Sequence, residues 1–149
     1  MRSLGVLVGR KSHQRRCLVL ACLALVAACG GDGGADGNSP GTVQLPQTSF
    51  DATEGTIVNI RVARSGGSEG VASVDYETVN GTAEGGSDYT PASGTLTWPA
   101  GLSGNLTISV AIADDGMEEP MESFRVVVSN VMGAALGANT SATVNIVAP

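Results

Sequence analysis

From Val43 onward the chain alternates apolar and polar residues with a period of two, the pattern of a strand with one buried and one wet face. Val58, Ile60 and Val62 alternate with Asn59, Arg61 and Ala63, and Ala72, Val74 and Tyr76 with Ser73, Asp75 and Glu77. Leu106, Ile108, Val110 and Ile112 alternate with Asn105, Thr107, Ser109 and Ala111. Phe124, Val126 and Val128 repeat the pattern, as do Ala142, Val144 and Ile146. Shorter segments at 47–50 and 95–98 bring the total to about seven strands, and no window carries a helical period. Such a chain is expected to fold as an all-β, seven-stranded antiparallel β-sandwich of immunoglobulin-like type. Trp98, Tyr76, Phe50 and Phe124 fall on inward positions and are expected in the core.

The first 42 residues follow a different rule. Arg2, Arg10, Lys11, Arg15 and Arg16 make a basic head, and Leu18 to Ala28 is an apolar run of 11 residues. A membrane-spanning helix needs roughly 20 such residues; a basic head with a short apolar centre marks an export signal, here residues 1–28. The run ends Leu25-Val26-Ala27-Ala28-Cys29-Gly30, which resembles the bacterial lipobox, with small side chains beside the cut and a thiol to receive diacylglycerol. The resemblance implies lipidation of Cys29, attachment to the membrane through that lipid, and export to the cell envelope. Two acyl chains anchor stably where one does not. Gly30 after the cysteine points to the outer membrane. Residues 29–42 hold six glycines after Cys29 and no large apolar side chain, so they are expected to form a flexible tether to a domain spanning 43–149.

Without residues 1–28 only Arg61, Arg64 and Arg125 remain to balance 14 carboxylates, a formal charge of −11 with no lysine. Such a surface repels phosphate backbones, which argues against nucleic acid, and it favours cations. Cys29 is then the one cysteine left, so no internal disulfide is expected.

Three separated stretches carry a family resemblance: GTAEGGSDYTPASGTLTWPAG (81–101), ISVAIADDGMEEPMESFRVVVSN (108–130) and LGANTSATVNI (136–146). A glycine-threonine-alanine turn, an aspartate-tyrosine pair, a glycine-threonine-leucine strand, an acidic loop, a glutamate-x-phenylalanine strand and a closing strand occur in the order of the Calx-beta domain. The resemblance covers roughly residues 46–147. It implies an immunoglobulin-like sandwich, which the strand pattern reaches independently.

Residues 114–122 place five carboxylates in nine positions between two strands. Crowded carboxylates repel one another, and a hard cation with six to eight oxygen ligands offsets that repulsion. The family resemblance implies calcium at one end of the sandwich, with Glu54, Asp114, Asp115, Glu119 and Glu122 at the ligand positions. Two departures reduce the expectation to a single ion. Asn80 stands where calcium-binding members carry an aspartate, a neutral oxygen ligand at best, and the chain ends Val147-Ala148-Pro149 where they carry aspartates. The alternative reading of the same residues is a solvated acidic loop with no ion. An EF-hand is excluded, since its first and third ligands would fall on Ala111 and Ala113. Asp88, in a glycine-rich turn, is expected to bond backbone amides, and Asn80-Gly81 to form a tight hairpin turn.

Catalysis is not expected. Gly66-Gly67-Ser68-Glu69-Gly70 matches the nucleophile-elbow pattern, but that elbow needs a following helix and a histidine base, and the single histidine is His13. Paired carboxylates can hydrolyse glycosides, yet aromatic content is 3%, too low for a sugar platform. Two functions remain: a calcium-binding envelope module for adhesion or for contact with an envelope or extracellular protein, and a metal-independent structural or docking sandwich.

Overall fold

The computed structural model describes residues 39–117 and 119–147. The export segment, Cys29 and tether residues 29–38 lie outside the described residues. Among the described residues nine strands form: β1 Thr42–Gln44, β2 Ser49–Thr53, β3 Ile57–Ser65, β4 Ala72–Val79, β5 Ser93–Trp98, β6 Gly104–Ala111, β7 Glu122–Met132, β8 Ala135–Leu136 and β9 Ser141–Val147. They build two sheets, ordered β6-β3-β1-β8 and β2-β9-β7-β4-β5. The immunoglobulin-like sandwich expected from the alternation is present. Seven strands match the expected segments; β1 and β8, of three and two residues, are too short to show a period.

The sandwich is not wholly antiparallel. β1 pairs with β8 and β2 with β9 in parallel. The cause is that the leading segment is shared between sheets: β1 sits in the first, the chain crosses at Leu45 and Pro46, and β2 joins the second running alongside β9. Proline has no N–H for a ladder, which favours a break there. The ordered domain also starts before residue 43. Gly41 is buried, Thr42 lies in β1, and Ser39 accepts a backbone hydrogen bond from Glu69 at 2.9 Å.

Each alternating strand turns its apolar set inward. Val58, Ile60 and Val62 of β3, with Ile108 and Val110 beside them on β6, share one core with Val74 of β4 and Phe124 and Val126 of β7 from the other sheet. Trp98 and Phe124 are fully buried, and the Trp98 indole N–H donates to the Gly104 carbonyl at 3.0 Å. Phe50 and Tyr76 pack against the core only half-buried. The further core aromatic is Tyr89, stacked on Phe124 with ring centroids 4.0 Å apart.

The next inward position of β3 after Val62 is Arg64, only 1% exposed. Its guanidinium donates five hydrogen bonds, all to carbonyls: Nε and Nη2 to Pro40, Nη2 to Glu69, and Nη1 to Gly70 and Leu102. Those carbonyls belong to the lead-in to β1, the β3–β4 connection and the β5–β6 connection, so one side chain ties three segments at one end of the sandwich. Ser68, in the motif resembling a nucleophile elbow, lies in that β3–β4 connection between two strands.

Candidate functional site

The opposite end collects the carboxylates. β2, β4, β6 and β9 finish there and β3 and β7 begin there, as the pairings Thr53↔Val147, Ile57↔Ala111, Val79↔Arg125 and Glu122↔Ile146 require. Three connections therefore meet: the β2–β3 turn with Glu54, the β4–β5 loop with Asp88, and the β6–β7 loop with Asp114 to Glu119.

The β4–β5 loop spans residues 80–92 and is not a two-residue hairpin at Asn80-Gly81. Gly81 is needed for close approach: a Cβ there would lie 2.3 Å from the Ser123 carbonyl oxygen. The Asn80 side-chain oxygen accepts from the Tyr89 hydroxyl at 2.6 Å and the Gly85 amide at 3.0 Å. That oxygen is thus engaged in closing the loop, in keeping with Asn80 being a departure from the calcium-binding pattern. The Tyr89 ring in turn rests on Phe124 of β7. This anchored loop carries Asp88 to the cleft. One Asp88 carboxylate oxygen accepts the Glu84 amide at 2.6 Å, the backbone role expected, and the Asp88 carbonyl accepts the Ala113 amide at 2.9 Å.

Asp88 nevertheless does more than close a turn. One carboxylate oxygen from each of Asp88, Glu119 and Glu122 lies within 4.8 Å of the others. These three, with Glu54 and Asp115, line a cleft of about 290 Å³ in which no arginine takes part. Of the five residues read from sequence, Glu54, Asp115, Glu119 and Glu122 thus share one cavity. Asp114 does not line it; its carboxylate accepts the Gly116 amide at 2.9 Å and sits against Gly55. Asp115 makes a similar turn, accepting the Met117 amide at 2.9 Å. Asp88 is the residue that sequence reasoning left out, because it lies 31 positions from Glu119 and its turn chemistry already explained it.

The electrostatics are those of uncompensated negative charge. Glu54 is held above the ordinary carboxylate range by loss of solvent and then by repulsion from Glu119, Asp114, Asp115 and Asp88. Its Oε2 is buried and has no hydrogen-bond partner. Glu122 is raised as well, by desolvation first, then by the hydrogen bond and charge it shares with Asp88. An acceptor left without a donor or water costs free energy. The donor set is all carboxylate oxygen, which suits a hard divalent cation and not a soft one.

Two sheets closed on one core with an acidic cleft at one end define a small β-sandwich domain. The chain belongs to the Calx-beta domain family, whose model matches residues 36–149. The apo-form Calx CBD1 domain superposes with a TM-score of 0.68 at 29% identity, covering 72% of this chain and 96% of that one. The calcium binding domain CBD12 of CALX1.1 gives a TM-score of 0.67 at 30% identity, over 71% of this chain and 45% of that one. This chain therefore spans less than half the length of that second structure. The Calx CBD2 domain, 22% identical with a TM-score of 0.68, shares the fold.

Proposed function

We propose that this protein is an exported, lipid-anchored display module whose acidic end binds one calcium ion. The observation that carries the reading is Glu54 Oε2, buried and unpartnered beside a cleft where Asp88, Glu119 and Glu122 converge. Those four residues and Asp115 would hold the ion, and bound calcium would supply positive charge that offsets their mutual repulsion. Backbone carbonyls and water would complete a shell of six to eight oxygens. The family membership and the calcium-binding description of a similar structure support the same reading.

The topology supports display. The chain enters the domain at the Arg64 end, where Pro40 is held, and β9 leaves at the acidic end. Entry at the end far from the cleft leaves the acidic end clear of the lead-in to β1, as contact with an envelope or extracellular partner would need. The alternative, a metal-independent structural or docking sandwich, draws on a different observation: Asp88, Asp114 and Asp115 each accept a local backbone amide, so the loops hold some shape unaided.

Thermal unfolding with calcium, with magnesium and with excess chelator separates the two. Calcium at about 100 times its dissociation constant adds roughly 2.7 kcal/mol, a rise of several degrees in Tm. Coincident melts in calcium and chelator would sink the calcium reading and leave the structural one.

A further inference from the structure

The four edges of the two sheets are guarded unequally. β8 is two residues long, and β2 carries the exposed Asp51 and follows Pro46. Short strands, charge and proline are the usual protections of an edge. On the other side of the sandwich lie β5 and β6, and residues 93–113 contain no charged residue and one proline, Pro99, outside both strands. β6 is the longest of the four edges at eight residues, pairs with β3 in unbroken register from Gly104 to Ala111, and has no bulge. Its second edge pairs with no strand among the described residues; the Asp88–Thr90 segment covers only its far end, where the Thr90 amide donates to the Ala111 carbonyl at 2.9 Å, and leaves Asn105, Thr107 and Ser109 without a backbone partner there. Leu96 of β5 and Leu106 of β6 each pack against the core only half-buried.

We infer that β6 is an interaction edge, and that it pairs antiparallel with β6 of a second copy of this chain. The strand is its own complement. In antiparallel pairing, partners lie on the same face, so a two-fold axis on Thr107 sets Asn105 against Ser109 and Leu106 against Ile108. An axis on Ile108 sets Thr107 against Ser109 and Leu106 against Val110. Either way polar meets polar outside and apolar meets apolar within. Charge selects the occupant. Two copies of a strongly acidic chain repel at the carboxylate end, whereas along 104–111 no carboxylate would oppose another. A charged peptide finds no counter-charge on the strand, while a second β6 needs none. Pairing would join two four-stranded sheets into one of eight strands and bring the half-buried Leu106 of each copy against the other strand. Because the strands run antiparallel, the two Arg64 ends would point in opposite directions. The pairing uses no residue of the acidic cleft and does not depend on calcium.

Sedimentation equilibrium of the full chain in density-matched neutral detergent, with chelator throughout, tests this. The parent is expected to show a concentration-dependent monomer–dimer equilibrium. Thr107→Lys with Ser109→Lys, both exposed positions, sets like charges across the new pair and should raise the dimer dissociation constant by about tenfold or more, with circular dichroism and Tm unchanged. Thr143→Lys on the far sheet should leave the equilibrium alone. A parent that stays monomeric, or a dimer indifferent to the two lysines, overturns the inference. Because calcium is absent, neither result bears on the metal site, which the Tm measurement reports separately.

Discussion

The two ends of the sandwich handle charge in opposite ways. At one end a single guanidinium is buried and all five of its hydrogen bonds go to carbonyls, without a counter-ion. At the other, five carboxylates line one cleft with no cation among them and one oxygen left unpartnered. The first end is complete as built, since every donor bond serves to tie loops together. At the second end concentrated like charge raises the proton affinity of Glu54 and Glu122 and opposes folding. The difference separates an end whose polar groups tie the fold together from an end whose repulsion the proposed calcium would offset.

The largest effect expected from breaking that contrast is at Arg64. Arg64→Met leaves the carbonyls of Pro40, Glu69, Gly70 and Leu102 without their donor, and should cost roughly 3 kcal/mol in urea unfolding. The calcium-induced rise in Tm should survive in this variant, since the lesion lies at the far end. Next comes the acidic end itself. Asp88→Asn keeps an acceptor for the Glu84 amide but removes charge from the cleft, and should abolish most of the roughly 2.7 kcal/mol calcium stabilisation. Asp114→Asn, outside the cleft, should leave more of it; equal losses in the two variants would refute the assignment of Asp88 over Asp114.

A smaller effect separates holding from binding within the same loop. Tyr89→Phe removes the bond to Asn80 while keeping the stack on Phe124, and should cost about 1 kcal/mol in chelator. The smallest effect is a pH dependence. Glu54 and Glu122 titrate above their unfolded values, so the folded state binds protons more tightly in that interval. In chelator, stability should therefore rise as pH falls through their folded pKa values and be lost as pH rises through them. Asp75 opposes this at lower pH. Hydrogen bonds from Thr95 and Asn130 lower its pKa, so its contribution is present above the ordinary carboxyl value and lost below it. Glu54→Gln should raise Tm slightly at neutral pH in chelator and flatten the mildly acidic gain. An unchanged pH profile would show that Glu54 is not strained.

Much of this was legible in the residues because burial on a pleated strand repeats every second position. Val58, Ile60, Val62, Ile108, Val110, Phe124, Val126 and Val144 all sit where alternation puts them. The same arithmetic also placed position 64 inside, yet an arginine there reads as surface until the three segments that supply its carbonyls are brought together. The parallel pairings of β1 and β2 escaped for a related reason: two- and three-residue strands carry no period, and β2 pairs with a strand more than 90 residues away. The acidic loop was evident from its density of carboxylates. Asp88 was visible only as a turn residue, because the Coulomb repulsion that joins it to Glu119 and Glu122 acts through space and leaves no mark on local sequence.

By itself, then, the sequence determined which residues form strands, which face of each is buried, and that negative charge is concentrated between two of them, all properties set within about ten residues by side-chain solvation. The tertiary structure decided which sheet each strand joins, which carboxylates share a cleft, that Asn80 spends its oxygen on Tyr89, and that one edge lies unguarded. Those outcomes depend on contacts between distant segments, where distance in space and not position in the chain sets the energy.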